Sequence, residues 1–178
     1  MKKGSVDIWA WIIGGIIAGL LIFVMAYSQL LQVSESMAEQ RSMEQYNELL
    51  SRINELCWSF SGNIIEYSIV LDENAKGIYL AHDKHAEINS TELINKIVDE
   101  EISSGGYLCI KIGERRVKCG KLDCESKMPY IGSVPTEFSL SALISKAAGN
   151  HEKFIYDLKL EKSGSAVNIA KIITAREK

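Results

Sequence analysis

The sequence predicts an α+β protein: a single N-terminal transmembrane helix continuing into an amphipathic stalk helix, then a small, mainly antiparallel β-sheet head. Three observations lead there. Residues 8–31 carry no charge. Between residues 46 and 60, apolar side chains recur at three- and four-residue steps. From Asn63 onward, short apolar runs are separated by turns containing Gly, Asn and Asp. The expected segments are a basic N-terminus at 1–7, the span at 8–31, the stalk at 32–61 and the head at 62–178.

The span is 24 residues long. At about 1.5 Å per residue it reaches about 36 Å, enough to cross a hydrocarbon layer of about 30 Å. Trp9, Trp11 and Tyr27 stand near its two ends, where amphipathic rings favour the interface. A buried helix of a soluble protein rarely stays apolar on every face for so many turns. Lys2, Lys3 and the α-amino group precede the span, opposed only by Asp7, and Glu35, Glu39, Arg41 and Glu44 follow it. The positive-inside rule then places the N-terminus in the cytoplasm and residues 32–178 outside. Ala26-Tyr27-Ser28 has the small residues that a signal peptidase reads. The apolar run before that site, residues 8–26, exceeds the roughly 7–15 residues of a signal peptide, which favours a retained anchor. Gly14, Gly15, Ala18 and Gly19 form small-xxx-small pairs on one helix face, where a second membrane helix can approach closely. The expected partners are therefore the lipid bilayer and other membrane subunits, including further copies of this chain.

In the stalk the recurring positions are Tyr46, Leu49, Leu50, Ile53, Leu56, Cys57 and Phe60. No Pro or Gly interrupts residues 20–61, so the span and stalk read as one helix that stops at Gly62-Asn63. Residues 34–43 show only a sparse apolar face, which is either solvated or covered by other subunits.

The head opens with a strand at residues 64–71, closed by Asp72-Glu73-Asn74, and a second at 77–81. Asn89 reads as an N-cap with Glu92 three residues on, starting a helix through Leu93, Ile94, Ile97 and Val98. Gly105-Gly106 ends that region. Residues 107–112 and 116–119 would pair across Gly113-Glu114-Arg115, followed by a turn-rich stretch with Pro129 and Pro135 and a short helix at 140–148. Phe154, Tyr156, Leu158 and Leu160 alternate with Ile155, Asp157, Lys159 and Glu161. A turn at residues 162–165 returns the chain as a last strand at 166–174.

Four cysteines, Cys57, Cys109, Cys119 and Cys124, lie in the expected outer region, and an even count there suggests two disulfides. A three-residue turn sets Cys109 opposite Cys119, leaving Cys57 for Cys124. Free buried thiols and a metal site are the other readings. The spacing between Cys119 and Cys124 lacks the short paired knuckles of zinc sites. His82 and His85, near Asp83 and Glu87, read as solvated loop residues rather than ligands, and His151 has no partner at fixed spacing.

No serine elbow, phosphate loop or paired CxxC occurs, so the sequence offers no catalytic constellation and calls for no cofactor. A net charge of −3 with no concentrated basic face argues against nucleic acid. Arg115, Arg116, Lys118 and Lys121 cluster around the hairpin tip and read as a solvated turn. Asn89-Ser90-Thr91 matches the N-glycosylation triplet.

Lys2-Lys3-Gly4, the charge-poor span, the continuing amphipathic helix and the β-rich head together resemble a type IV pilin-like protein, most nearly of the archaeal or pseudopilin-like sort. That resemblance implies a non-enzymatic structural subunit of a surface filament or secretion apparatus. It also implies leader-peptidase cleavage after Gly4, making Ser5 the new N-terminus. The fifth mature position holds Trp9 where the bacterial pattern has Glu, and Asp7 is the acid nearby. The alternative is a bitopic protein whose ectodomain binds a ligand or partner.

Overall fold

The structure, a computed structural model, describes residues 4–85, 87–114, 116–133 and 153–177. The helix expected at 140–148, Pro135, His151, Arg115, Lys2 and Lys3 lie outside them. Helix α1 (Gly4–Cys57) is followed by β1 (Ile64–Asp72), β2 (Ala75–Ala81), α2 (Ser90–Val98), β3 (Ile102–Ile112), β4 (Arg116–Pro129), β5 (Lys153–Ser163) and β6 (Ala166–Glu177). The chain separates into two compact units, Met1–Met37 and Ala38–Lys178.

Within the first unit, Trp11–Leu30 is long and apolar enough to cross a bilayer, and none of it is buried. Its large side chains, from Trp11 and Ile12 to Leu30, are exposed. An exposed apolar surface on every side is unstable in water and natural in lipid.

The second unit is a mixed six-stranded sheet in the order β1-β5-β6-β4-β3-β2. The edge strands β1 and β2 are joined by Glu73-Asn74 alone. Three Cα–Cα steps reach at most about 11 Å. A flat sheet would hold the two edges about 24 Å apart. The sheet is therefore strongly curled, so that its edges converge at this turn, where the Gly113 amide donates to the Asn74 carbonyl at 2.8 Å. The concave side encloses the last five turns of α1. Tyr46, Leu49, Ile53 and Leu56 are fully buried in one cluster that draws side chains from all six strands.

That cluster explains why α1 remains ordered although its polar face is long. Ala38 and Ser42 continue the buried face two turns and one turn before Tyr46, and Ser42 Oγ accepts from the Asp72 amide at 3.3 Å. The segment read as a stalk thus supplies, from Ala38 onward, the centre of the sheet domain. Two small residues at helical spacing give little apolar signal, yet both are buried.

Several boundaries differ from the sequence reading. Helix α1 ends at Cys57, with tightened turns from Trp58 to Glu55 and from Ser59 to Leu56, and the chain reverses at Gly62, φ 87°. Phe60, expected on the buried helix face, is outside the helix and 92% exposed, because the 3.6-residue period no longer governs it. Gly105-Gly106 does not end an element. It lies inside β3, where the pairing register shifts between Gly105 and Tyr107. Strand β4 runs to Pro129 through the stretch expected to be turn-rich, and alternation of Leu122, Ser126 and Met128 on its buried side was masked by the serine. The sheet is mixed because β4 and β6 pair in parallel through Ser126 with Val167 and Lys127 with Asn168.

Other elements agree closely. Asn89 caps α2 through a 2.7 Å bond from the Glu92 amide to its Oδ1. Strand β5 buries Phe154, Tyr156, Leu158 and Leu160 in strict alternation, and the hairpin turns on Gly164, φ 59°. A smaller cluster on the other sheet face packs Leu93 and Ile97 of α2 against Tyr79, Ala81 and Cys109.

Candidate functional site

In the first unit the residues of interest are Gly14, Gly15, Ala18 and Gly19. All four are exposed, and a Cβ added at any of the three glycines would meet nothing within 4 Å. The face is open to whatever lies beside it. Gly4 and Ser5 belong to the first turn of α1.

In the second unit the chain pairs all four cysteines at disulfide distance. Cys109 and Cys119 are register partners on β3 and β4, with Cα atoms 4.1 Å apart. Cys57, the last residue of α1, joins Cys124 of β4 with Cα atoms 5.6 Å apart. These are the pairs to which the three-residue hairpin turn leads. Because adjacent residues of a strand face opposite ways, one bridge lies on the concave side and the other under α2.

The end of α1 is held by more than its disulfide. Its last turn has no basic residue of its own, but Lys162 reaches across from β5 and donates to the Cys57 carbonyl at 2.9 Å. A cation at a helix C-terminus offsets the partial negative charge there. The Asn54 side chain accepts from the Asp123 amide at 3.0 Å, and the Trp58 indole donates to Asp123 Oδ2 at 2.8 Å. Farther along, the Tyr46 hydroxyl donates to the Leu108 carbonyl at 2.9 Å. It lies against Gly120, the register partner of Leu108, where a Cβ would come within 2.9 Å of the hydroxyl oxygen. Gly120 is thus the notch in β4 that admits the helix.

Burial pushes the Tyr46 phenol up to about 12, partly opposed by a backbone hydrogen bond at Gly120. Tyr67 and Tyr79 are also raised to about 12, burial again being the main cause. These folded values exceed the ordinary value near 10, so stability is fully present below pH about 10. Above it the unfolded chain loses phenolic protons first, and stability falls as pH rises toward about 12. Tyr46→Phe should flatten that fall while costing about 1 kcal/mol at neutral pH for the lost hydrogen bond. Denaturant midpoints measured between pH 8 and 11 check both parts. An unchanged slope in the variant would remove Tyr46 from the account.

Two described residues of the basic cluster have acidic or aromatic partners on α1. Arg116 pairs with Glu39 at 2.9 Å, and Lys118 lies 5.8 Å from the Tyr46 ring centroid. Both tie the hairpin to α1. His82 and His85 are exposed, and among the described residues no group of three or more His, Cys, Asp or Glu is placed to hold a metal ion. What the sequence reading missed is the aromatic tip. Trp58 is 81% exposed and Phe60 92%, with Ile64 exposed nearby in the chain. Their proximity to Gly62 was the available signal.

No protein-family model, curated protein or solved structure matches this chain.

Proposed function

We propose that this chain is a membrane-anchored, extracytoplasmic structural subunit, a pilin-like component of a surface filament or secretion apparatus. One observation carries the reading. A single helical element, α1, contributes a wholly unburied apolar stretch, Trp11–Leu30, and then the core of a disulfide-paired sheet domain. Lipid accounts for the first part. The disulfides fit an oxidising compartment for the second. Lys2 and Lys3 before the span favour a cytoplasmic N-terminus. The open face of Gly14, Gly15, Ala18 and Gly19 suits close packing against other subunits.

The test is association in membranes. Gly15→Leu and Gly19→Leu should lower crosslinked multimers several-fold while leaving insertion intact, because leucine only raises the hydrophobicity of the span. Ile17→Leu, on another face, should change little. Equal crosslinking by all three variants would count against a packed subunit. It would favour the second reading, an anchored module that binds a ligand or partner through its ectodomain. The exposed pair Trp58 and Phe60 supports that alternative, since large exposed aromatics are common anchors of binding surfaces.

A further inference from the structure

We infer that Asn89 is an N-glycan acceptor whose two side-chain atoms do separate work, Oδ1 capping helix α2 and Nδ2 carrying the sugar. This rests on the outward placement of residues 32–178 proposed above. The sequence supplies the triplet Asn89-Ser90-Thr91. The structure supplies the chemistry that a triplet alone lacks.

Asn89 is exposed and extended, φ −73° and ψ 158°, one residue before α2 begins. Its Oδ1 accepts from the Glu92 amide at 2.7 Å. A backbone N–H needs an acceptor, so this bond fixes which amide atom points inward. Nδ2, the atom that bears a glycan, is consequently directed away from the cap. Ser90, the variable position of the triplet, is occupied by a 2.7 Å bond to Glu114 Oε2. Thr91, whose hydroxyl an oligosaccharyltransferase must read, is exposed. The neighbouring positions His82, Asp83, Lys84, His85, Glu87 and Glu92 are exposed as well, which leaves room for a bulky polar substituent.

Transfer forms a bond between Nδ2 and the anomeric carbon of a polyprenyl-linked oligosaccharide. The bond from that carbon to the lipid phosphate breaks, the phosphorylated polyprenol leaves with the electron pair, and Nδ2 loses one proton. The product amide keeps Oδ1 unchanged, so the cap survives modification. A helix capped by Ser or Asp would hold as well but offer no nitrogen.

The test translates the full chain in the presence of endoplasmic-reticulum microsomes, with a second acceptor triplet on a linker after Lys178. The parent should show two endoglycosidase-sensitive gel shifts. Asn89→Gln, Asn89→Asp and Thr91→Val should each show one, and Ser90→Ala and Thr91→Ser two. Asn89→Asp is the decisive variant, because the cap is retained and only the nitrogen is lost. A parent with one shift that persists in Asn89→Gln overturns the inference while upholding the outward placement. A parent with no shift overturns the placement, and the inference with it.

Discussion

Replacing Cys57 and Cys124 together by serine should lower the stability of the sheet domain by about 4 kcal/mol, and replacing Cys109 and Cys119 by about 3 kcal/mol. The first bridge joins residues 67 apart in sequence and the second residues 10 apart. Cross-linking restricts the unfolded chain more when the closed loop is longer, which sets the order. Position reinforces it. Cys57–Cys124 fastens the end of the enclosed helix to β4, whereas Cys109–Cys119 links strands already hydrogen-bonded along ten residue pairs. Lys162, Asn54 and Trp58 still hold the helix end in the first variant, so folding is weakened rather than abolished. Denaturant titrations of the full chain in detergent, with each pair replaced separately, give the comparison. A larger loss on removing the hairpin bridge would contradict the order set by loop length and by the anchoring of the helix end.

Gly105→Ala should cost more than about 3 kcal/mol, and Gly106→Ala, its neighbour, less than about 1 kcal/mol. Gly105 has φ 155° and lies at the register shift of β3. A Cβ there would fall on the carbonyl of Ala81 and within 2.9 Å of the His82 amide nitrogen. Both are backbone atoms of the adjoining chain just where β2 ends, so no side-chain rotation relieves the overlap. The two strands would have to part, breaking the pairing of Ala81 with Tyr107 and exposing the cluster beneath α2. Gly106 has open space on the same test. Thermal unfolding followed by near-ultraviolet circular dichroism checks the pair. A drop of roughly 10 °C or more is expected for Gly105→Ala, with little change for Gly106→Ala. Similar midpoints for both would show that the bulge is plastic.

The sequence by itself determined the elements whose signal is local. Uninterrupted apolarity marks Trp11–Leu30, and its limits fall only a few residues inside the expected 8–31. Asn89 and Glu92 mark the start of α2, and two-residue alternation marks β5 and its return. The pairing of Cys109 with Cys119 follows from a short hairpin, since a three-residue turn leaves one register in which both side chains share a face. Tyr46, Leu49, Ile53 and Leu56 are legible as a helix face, because burial on one side of a helix imposes its own period.

Only the tertiary structure decided what that face is for. Periodicity says that one side of α1 is covered but not by what, and a curled sheet and a neighbouring subunit leave the same pattern. The two-residue link between edge strands forces the curl, a relation between β1 and β2 visible only once strand order is known. The long reach of β4 was hidden because Gly120 and Ser126 occupy concave-facing positions, the first to admit the helix and the second beside the parallel pairing to β6. Trp58 and Phe60 were missed for the opposite reason, despite their closeness to Gly62. Hydrophobic side chains are expected inside, and an exposed one is recognised only when the helix is seen to end at Cys57. Local propensity and period fix which residues form each element. Strand order, curl and exposure depend on contacts between residues far apart in sequence, and no local pattern encodes them.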